Sequence, residues 1–589
     1  MCGIFACISK DNKTAVKVIN GLKKLEYRGY DSWGISYKNA NGINVVKEVG
    51  KISAFDPEEA NFADSNVAIA HTRWATHGGV EVRNAHPHLN KENTIAVVHN
   101  GIIENYIELK NELIKKGYEF KSDTDTEVIV QMIDSYMDFG FEKAIEKTVA
   151  RFEGRFAIVV IDKNADEIIA CRRGSPLILG VGKEETFIAS DIPAFLSHTN
   201  VVNYIDDDEM VKITSSERHF YSLRTGDEIQ KRDIQIEWNI EDAEKGDFTH
   251  FMLKEIFDQK ETVQRAVDQS DEEIMAVAEK IKKSKGVFFV GCGTAGKVAK
   301  AGEYFFAHVA KRHVNFAPAS EFPLFHNFLL PETLVFAISQ SGETADVLEA
   351  LEVAQKAGST VFSLTNVVGS SIARKSDISL FIKAGPEKAV ASTKAATSQL
   401  ALLLLIAYAV AGKLEEGKKL LLEISSNVND LLNPRFVAHT ESVAKKIAHK
   451  DNLFIIGKGV NYPMAEESAI KIQEVSQIHA EGFAGGELKH GPIAMIEEGT
   501  PCLVLVGDDE SKQEIVSNAI ELKSRGAMII GIASEKHDCF DEFIRVPESG
   551  VASCITNLIP IQLLSFYLGV ERGLDPDMPR NLAKSVTVK

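Results

Sequence analysis

The chain has 589 residues, 44% of them hydrophobic and 25% charged, and a formal net charge of −18 at pH 7. Such a length exceeds what one hydrophobic core normally serves, so about three domains are expected. The acidic balance argues against a nucleic-acid partner or an anionic membrane surface, both of which need a basic face, although one local pocket can still oppose the global sign and take a phosphorylated small molecule.

Seven cysteines, at positions 2, 7, 171, 292, 502, 539 and 554, are scattered and never spaced as CxxC. That usage predicts a reducing compartment with no disulfide framework. The longest apolar run, LALLLLIAYAVA from Leu400 to Ala411, is too short to span a bilayer and predicts a buried helix. Only Met1 precedes Cys2, so no signal peptide is expected, and the protein is expected to be soluble and cytoplasmic.

The sequence begins MCGIFACI. Removal of Met1 would leave Cys2 with a thiol and a free α-amino group on neighbouring atoms. An α-amine titrates near neutrality, at roughly 7.7 to 8, so it can accept the thiol proton directly or through water. The bland alternative is a structural cysteine.

Up to residue 237, short β-rich runs (VAIAHTRWATHGG, TIAVVHNG, RFAIVVIDK, EIIACRRG, LILGVG, TFIASD) alternate with helical stretches such as NYIELKNELIKKG and TDTEVIVQMIDSYM. The pattern predicts an α+β sandwich of sheets with helices outside, over residues 1–237. A polar, helical segment over 238–284 reads as a linker with docking helices. Beyond it, buried strands followed by helices predict two α/β domains with parallel, doubly wound sheets, over 285–430 and 431–589. Strand ends fall near Val290, Ile338 and Leu364, then near Ile456, Val506 and Ile532. The matched spacing predicts duplication of one unit.

Candidate chemistry follows the same order. A thioester intermediate needs oxyanion donors and anchors for an amino acid. Asn100 with Gly101 offers a side-chain amide and a backbone N–H to a developing oxyanion, Arg73 can fork onto a carboxylate, and Asp125 can take an ammonium. The rival here is a metal, because His71, His77, His86, His88 and His99 lie close in sequence, but neither a ligating carboxylate nor an HExxH spacing accompanies them. GCGTAG, Gly291–Gly296, matches the dinucleotide pattern, yet SQSGET (Ser339–Thr344) and VASTKAATS (Val390–Ser398) supply hydroxyls suited to a phosphate monoester at strand ends of the same unit. The second copy has GDDESK (Gly507–Lys512) at the equivalent of SQSGET, and its paired aspartates would repel phosphate. Lys471 and Glu474 stand three apart on a predicted helix and share a face, either as a surface ion pair or, with His490 after the next turn, as a proton-transfer group α to a carbonyl. Lys584, in the tail DPDMPRNLAKSVTVK, has small and apolar neighbours and is a Schiff-base candidate, the alternative being a solvated terminal lysine.

These stretches, with LEYRGYDSWG, NAHPH, ELKHGP and PRNLAKSVTV, resemble in order the glutamine:fructose-6-phosphate amidotransferase (glucosamine-6-phosphate synthase) family. The resemblance implies an N-terminal-nucleophile glutaminase domain and two sugar-isomerase domains, with no cofactor and no metal. It implies that Cys2 attacks the glutamine amide, that Asn100 and Gly101 form the oxyanion hole, that Arg73, Thr76, His77 and Asp125 hold the amino acid, and that Trp74 gates an internal ammonia channel. In the other half it implies that Thr294, Ser339, Gln340, Ser341, Thr344 and Ser392 bind the sugar phosphate. Lys584 would form an imine with open-chain fructose 6-phosphate, His490 would assist ring opening, and Glu474 with Lys471 would shift the proton between C1 and C2. The implied partners are glutamine, fructose 6-phosphate and a second copy of the chain, with His490 shared across the dimer. The alternative is a related sugar-phosphate amidotransferase or deglycase acting on another sugar. One departure stands at Ala295, where the family usually has serine.

Overall fold

The computed structural model describes residues 2–236 and 244–587, so the expected boundary at residues 237 and 238 lies outside the described residues. The chain divides into two units, Met1–Glu244 with Ala583–Lys589, and Lys245–Leu582.

In the first unit the strand Gly3–Ser9 is buried along its whole length. Its side chains alternate between two cores, as a period of two requires. Ile4, Ala6 and Ile8 enter one cluster with Val98, Ala157 and Val159, while Phe5 and Cys7 enter another with Val18, Ile19 and Leu22 of the helix Thr14–Lys23. Gly3–Ser9 lies inside an eight-stranded sheet, and Ile95–Ile103 and Gly154–Asp162 lie inside a seven-stranded one. The opposite face of the seven-stranded sheet is covered by the helices Thr126–Ser135 and Phe141–Val149, which contribute Val128, Ile129, Ile133, Ala144 and Ile145 to a third cluster. Both sheets are antiparallel between helical layers, the sandwich expected from the sequence.

The second unit holds two five-stranded sheets. In the first the order is Asn315–Pro318, Gly286–Gly291, Thr333–Ser339, Thr360–Thr365, Ile378–Phe381, all parallel. The second repeats it with His479–Ala484, Asn452–Gly457, Pro501–Leu505, Met528–Ala533, Glu542–Arg545, again all parallel. The strand ends read from the sequence therefore coincide with a repeated topology. Helices cover both faces of each sheet, and one core unites them: Phe289 and Phe336 share a cluster with Ile455 and Leu503.

The helices Phe251–Arg265 and Asp271–Lys283 bury Met252, Ile256, Val263, Ile274, Val277 and Ile281 in that core. The apolar run at Leu400 lies in the helix Lys394–Val410, which is buried almost throughout. Among the described residues one helix, Gly550–Glu571, is long and apolar enough to cross a membrane, but 89% of its most apolar window is buried inside the fold.

Candidate functional site

Strand register places Cys2. Gly3 stands opposite Thr72, so the residue before it arrives beside Arg73 and Trp74. The Trp74 backbone N–H donates to Cys2 Sγ at 3.2 Å. Burial pushes the Cys2 thiol up, against the Trp74 N–H and the guanidinium groups of Arg73 and Arg28, which pull it down. The Cys2 carbonyl oxygen accepts from Arg28 Nε at 3.3 Å and from Asn100 Nδ2 at 3.1 Å. Asn100 belongs to Ile95–Ile103 in the other sheet, so this bond ties the two sheets together beside the thiol. Asn100 Nδ2 also donates to Ser190 Oγ at 2.8 Å. Gly101 follows with φ +114°, and a Cβ there would meet the Arg155 carbonyl oxygen at 2.0 Å, so only glycine fits.

The other candidates in this unit lie at the end of Val67–Arg73 and just beyond it, and, for Asp125, at the start of Thr126–Ser135. Arg73 spends its guanidinium on the loop after it: NH1 donates to Gly79 O at 3.0 Å and NH2 to Gly78 O at 3.0 Å and to His77 O. Trp74 meets Tyr30 edge to face at 5.7 Å. Thr76 is exposed and His77 half-buried, the latter edge-on to Tyr106 at 5.3 Å. Asp125 is buried and accepts from the Ile103 N–H at 2.9 Å.

The histidines that raised the metal alternative form a buried network. His71 Nε2 reaches His99 O at 2.9 Å and Asn100 Oδ1 at 3.1 Å. His86 Nδ1 accepts from the His99 N–H at 3.3 Å, and His86 Nε2 pairs with Thr126 Oγ1 at 3.2 Å. His88 Nε2 pairs with Thr124 Oγ1 at 3.1 Å. Burial holds all four rings, His71, His86, His88 and His99, below the usual histidine range, and His71 at about 3.

In the second unit the Ser339–Thr344 turn of the first copy is closed by its own hydroxyls. Ser339 Oγ accepts from the Gly342 N–H at 3.1 Å and lies 3.2 Å from Thr344 Oγ1. Ser341 Oγ accepts from the Glu343 N–H at 3.2 Å, and the Gln340 carbonyl accepts from the Asn366 N–H at 3.1 Å. Thr344 is the N-cap of Ala345–Lys356, whose first N–H groups favour an anion. Ser392 Oγ donates to Glu387 at 3.0 Å, and Glu387 also takes the N–H groups of Thr393 and Ala395 at the start of Lys394–Val410. In the second copy Asp508 accepts from Ser534 Oγ at 2.6 Å and Asp509 from Ser511 Oγ at 2.5 Å, so carboxylates fill the equivalent loop.

Lys471 and Glu474 do share a face of Asn461–Ser476, but not as a surface pair, because Lys471 is 1% exposed. Its Nζ lies 2.5 Å from Glu474 and 3.6 Å from Glu467. Burial pulls Lys471 down, but the two carboxylates outweigh it and hold the ammonium above the usual lysine range. Glu467, absent from the sequence reading, accepts from Thr294 Oγ1 at 3.0 Å, and burial pushes its carboxyl up to about 7 against the pull of Lys471. Positions 467, 471 and 474 follow the i, i+4, i+7 rule, the one signal that would have found it. His490 is exposed at the end of the short turn Glu487–His490. Lys584 is half-buried between Ala583 and the buried Ser585.

A thiol at a strand start beside an amide, and a hydroxyl-lined loop with a buried Lys–Glu pair on repeated parallel sheets, define a glutamine amidotransferase joined to sugar-isomerase domains. Residues 44–226 match the glutamine amidotransferase domain family, and residues 280–409 and 446–570 match the SIS domain family. The chain is 42% identical over 616 aligned residues to the glutamine–fructose-6-phosphate aminotransferase [isomerizing] of Clostridium acetobutylicum, and 41% identical over 606 to that of Thermococcus kodakarensis, with all of both chains covered each time. The C-terminal domain of glucosamine-fructose-6-phosphate aminotransferase from Francisella tularensis superposes with a TM-score of 0.53 at 31% identity, covering 57% of this chain and 100% of that one. A tagatose-6-phosphate ketose/aldose isomerase from Escherichia coli, 18% identical with a TM-score of 0.50 over 56% of this chain and 96% of that one, shares the fold alone. The chain belongs to the glutamine–fructose-6-phosphate aminotransferase (isomerizing) family.

Proposed function

We propose that the protein moves the amide nitrogen of glutamine onto fructose 6-phosphate and isomerises the ketose to an aldose, giving glucosamine 6-phosphate and glutamate. The observation that carries this reading is the coexistence in one chain of Cys2, set against the Trp74 N–H and the Asn100 amide, and of the buried Lys471–Glu474 pair.

Once Met1 is removed, Cys2 Sγ gives its proton to its own α-amine and attacks the glutamine carbonyl, and that proton then passes to the departing amide nitrogen. The oxyanion is taken by the Asn100 amide and the Gly101 N–H, ammonia leaves, and water hydrolyses the thioester to glutamate. Arg73, Thr76, His77 and Asp125 hold the amino acid. Thr294, Ser339, Gln340, Ser341, Thr344 and Ser392 hold the sugar phosphate. Lys584 forms an imine at C2 of the open-chain ketose, ammonia displaces the lysine amine, and Glu474, beside the Lys471 ammonium, carries the proton from C1 to C2. Because ammonia protonates in neutral water and ammonium has no lone pair, the nitrogen is proposed to travel through an internal channel gated by Trp74. The working assembly is a cytoplasmic homodimer in which the partner subunit's His490 assists ring opening. Free thiols at all seven cysteines support the reducing compartment, and the exposure of His490 supports its reach to a neighbour.

Amide-labelled [15N]glutamine and fructose 6-phosphate, incubated with excess unlabelled ammonium, test the reading. The expected product is 15N-labelled glucosamine 6-phosphate. Unlabelled product would overturn the channelled transfer, and faster transfer to a different sugar phosphate would reassign the substrate.

A further inference from the structure

His71 lies on Val67–Arg73 in the eight-stranded sheet, and Asn100 lies across the sandwich on Ile95–Ile103. A primary amide can sit in its site two ways, exchanging oxygen for nitrogen, and its neighbours decide which. Here the nitrogen of Asn100 faces two acceptors near the nucleophile, the Cys2 carbonyl at 3.1 Å and Ser190 Oγ at 2.8 Å. Its oxygen faces His71 Nε2 at 3.1 Å, and the same Nε2 reaches the His99 carbonyl at 2.9 Å. With acceptors on both sides of Nε2, the ring must carry its proton there. Nδ1 is buried and has no hydrogen-bond partner among the described residues, so a second proton on the ring would be unsatisfied. His86 stacks on the ring with centroids 4.0 Å apart and planes 16° from parallel, which fixes the direction in which Nε2–H points.

We propose that His71 is a positioning residue for amide hydrolysis: as a neutral imidazole with its proton on Nε2, it locks the Asn100 side chain with the NH2 toward Cys2, so that an oxyanion formed at the thiol takes over the N–H now given to the Cys2 carbonyl. Burial, which holds His71 far below the usual histidine range, keeps the ring neutral throughout the working pH range. The inference rests on the assignment of Asn100 as an oxyanion donor in the reading above.

Steady-state glutamine hydrolysis by the full-length protein carrying His71→Leu, His71→Gln, His71→Asn, Asn100→Ala or His71→Leu/Asn100→Ala tests it, with thermal unfolding of each variant. Losing one oxyanion donor costs about 100- to 1,000-fold in kcat. His71→Leu is expected to lose about 10- to 100-fold in kcat with KM for glutamine little changed. His71→Gln, whose amide nitrogen reaches the Nε2 position, should recover most of that loss, and His71→Asn, whose amide is too short, should not. The double variant should be no slower than Asn100→Ala alone, because His71 acts through the amide. Equal activity of the glutamine and asparagine variants, or additive losses in the double variant, overturns the inference, and the glutamine–asparagine comparison remains decisive if His71→Leu does not fold. Unchanged kcat in Asn100→Ala would instead sink the oxyanion assignment itself.

Discussion

Lys471 Nζ stands 2.5 Å from Glu474 in a site where the lysine is 1% exposed. The ammonium therefore cannot relax into water, and its charge is held against the carboxylate proposed to move the C1 proton. Glu467 lies 3.6 Å from the same nitrogen and is the weaker partner. Desolvation dominates it, so its carboxyl titrates near neutrality, at about 7.

That titration has a stability consequence. Between the ordinary glutamate value and pH 7 the folded protein retains a proton that the unfolded chain has released, so stability falls as pH rises through this window. In Glu467→Gln this contribution to the slope disappears. Urea unfolding at pH 5 and pH 8 should show the parent losing on the order of 2 kcal/mol more than the variant across the interval. Equal losses would mean that Glu467 is ionised throughout.

The Cys2 thiol, raised by burial despite the Trp74 N–H and two nearby guanidinium groups, should be largely protonated at neutral pH until a base acts on it. Alkylation by iodoacetamide, which needs the thiolate, is expected to rise about tenfold per pH unit above neutrality and to keep rising past the ordinary thiol value of roughly 8.5. Mass analysis of the N-terminal peptide over pH 6–10 follows it. A plateau below pH 8 would show an activated thiolate in the resting protein. Cys2→Ala should abolish glutamate release while sugar isomerisation stays measurable.

Reduction with borohydride in the presence of fructose 6-phosphate should fix one sugar adduct per chain, at Lys584. The Lys584→Ala variant should gain no mass under the same treatment, read by intact-protein mass spectrometry. An adduct persisting there would move the imine to another lysine, which peptide mapping would name.

The turn proposed to hold the sugar phosphate offers a gain and a loss. Gly342 has φ +66° and a Cβ there would meet Ser370 Oγ at 2.0 Å, so Gly342→Ala should distort the hydroxyl-bearing turn and raise KM for fructose 6-phosphate at least tenfold, on the scale of one strained backbone position. Ala295→Ser restores a hydroxyl at the start of Gly293–Phe305. One added hydrogen bond of about 1 kcal/mol should lower that KM about fivefold. Glutamine hydrolysis measured without the sugar should not change in either variant, and a parallel change there would place the effect outside the loop.

Local pattern carried far in this chain. Unbroken apolar strands such as FFVG and LVFAIS, followed by Gly or Ser and a helix, announced both parallel sheets, because such strands are buried on both faces. The pairing of Lys471 with Glu474 was likewise readable from helical spacing. Their burial was not, since it comes from helices far away in sequence that close over them. Glu467 was passed over for the same reason, as a lone glutamate on a helix usually faces water. His71 was readable only as one of several nearby histidines. What separates it from a metal ligand is a bond across the sandwich to Asn100, which no periodicity within one strand encodes.

The two five-stranded sheets share one apolar interior, with Phe289 and Phe336 in the same cluster as Ile455 and Leu503 and with Lys394–Val410 and Ser553–Glu571 buried in it. Neither duplicate owns a complete interior. Severed near residue 430, each piece would bare a wide oily wall, so the duplicates, though born as copies, now melt together and survive only as a pair.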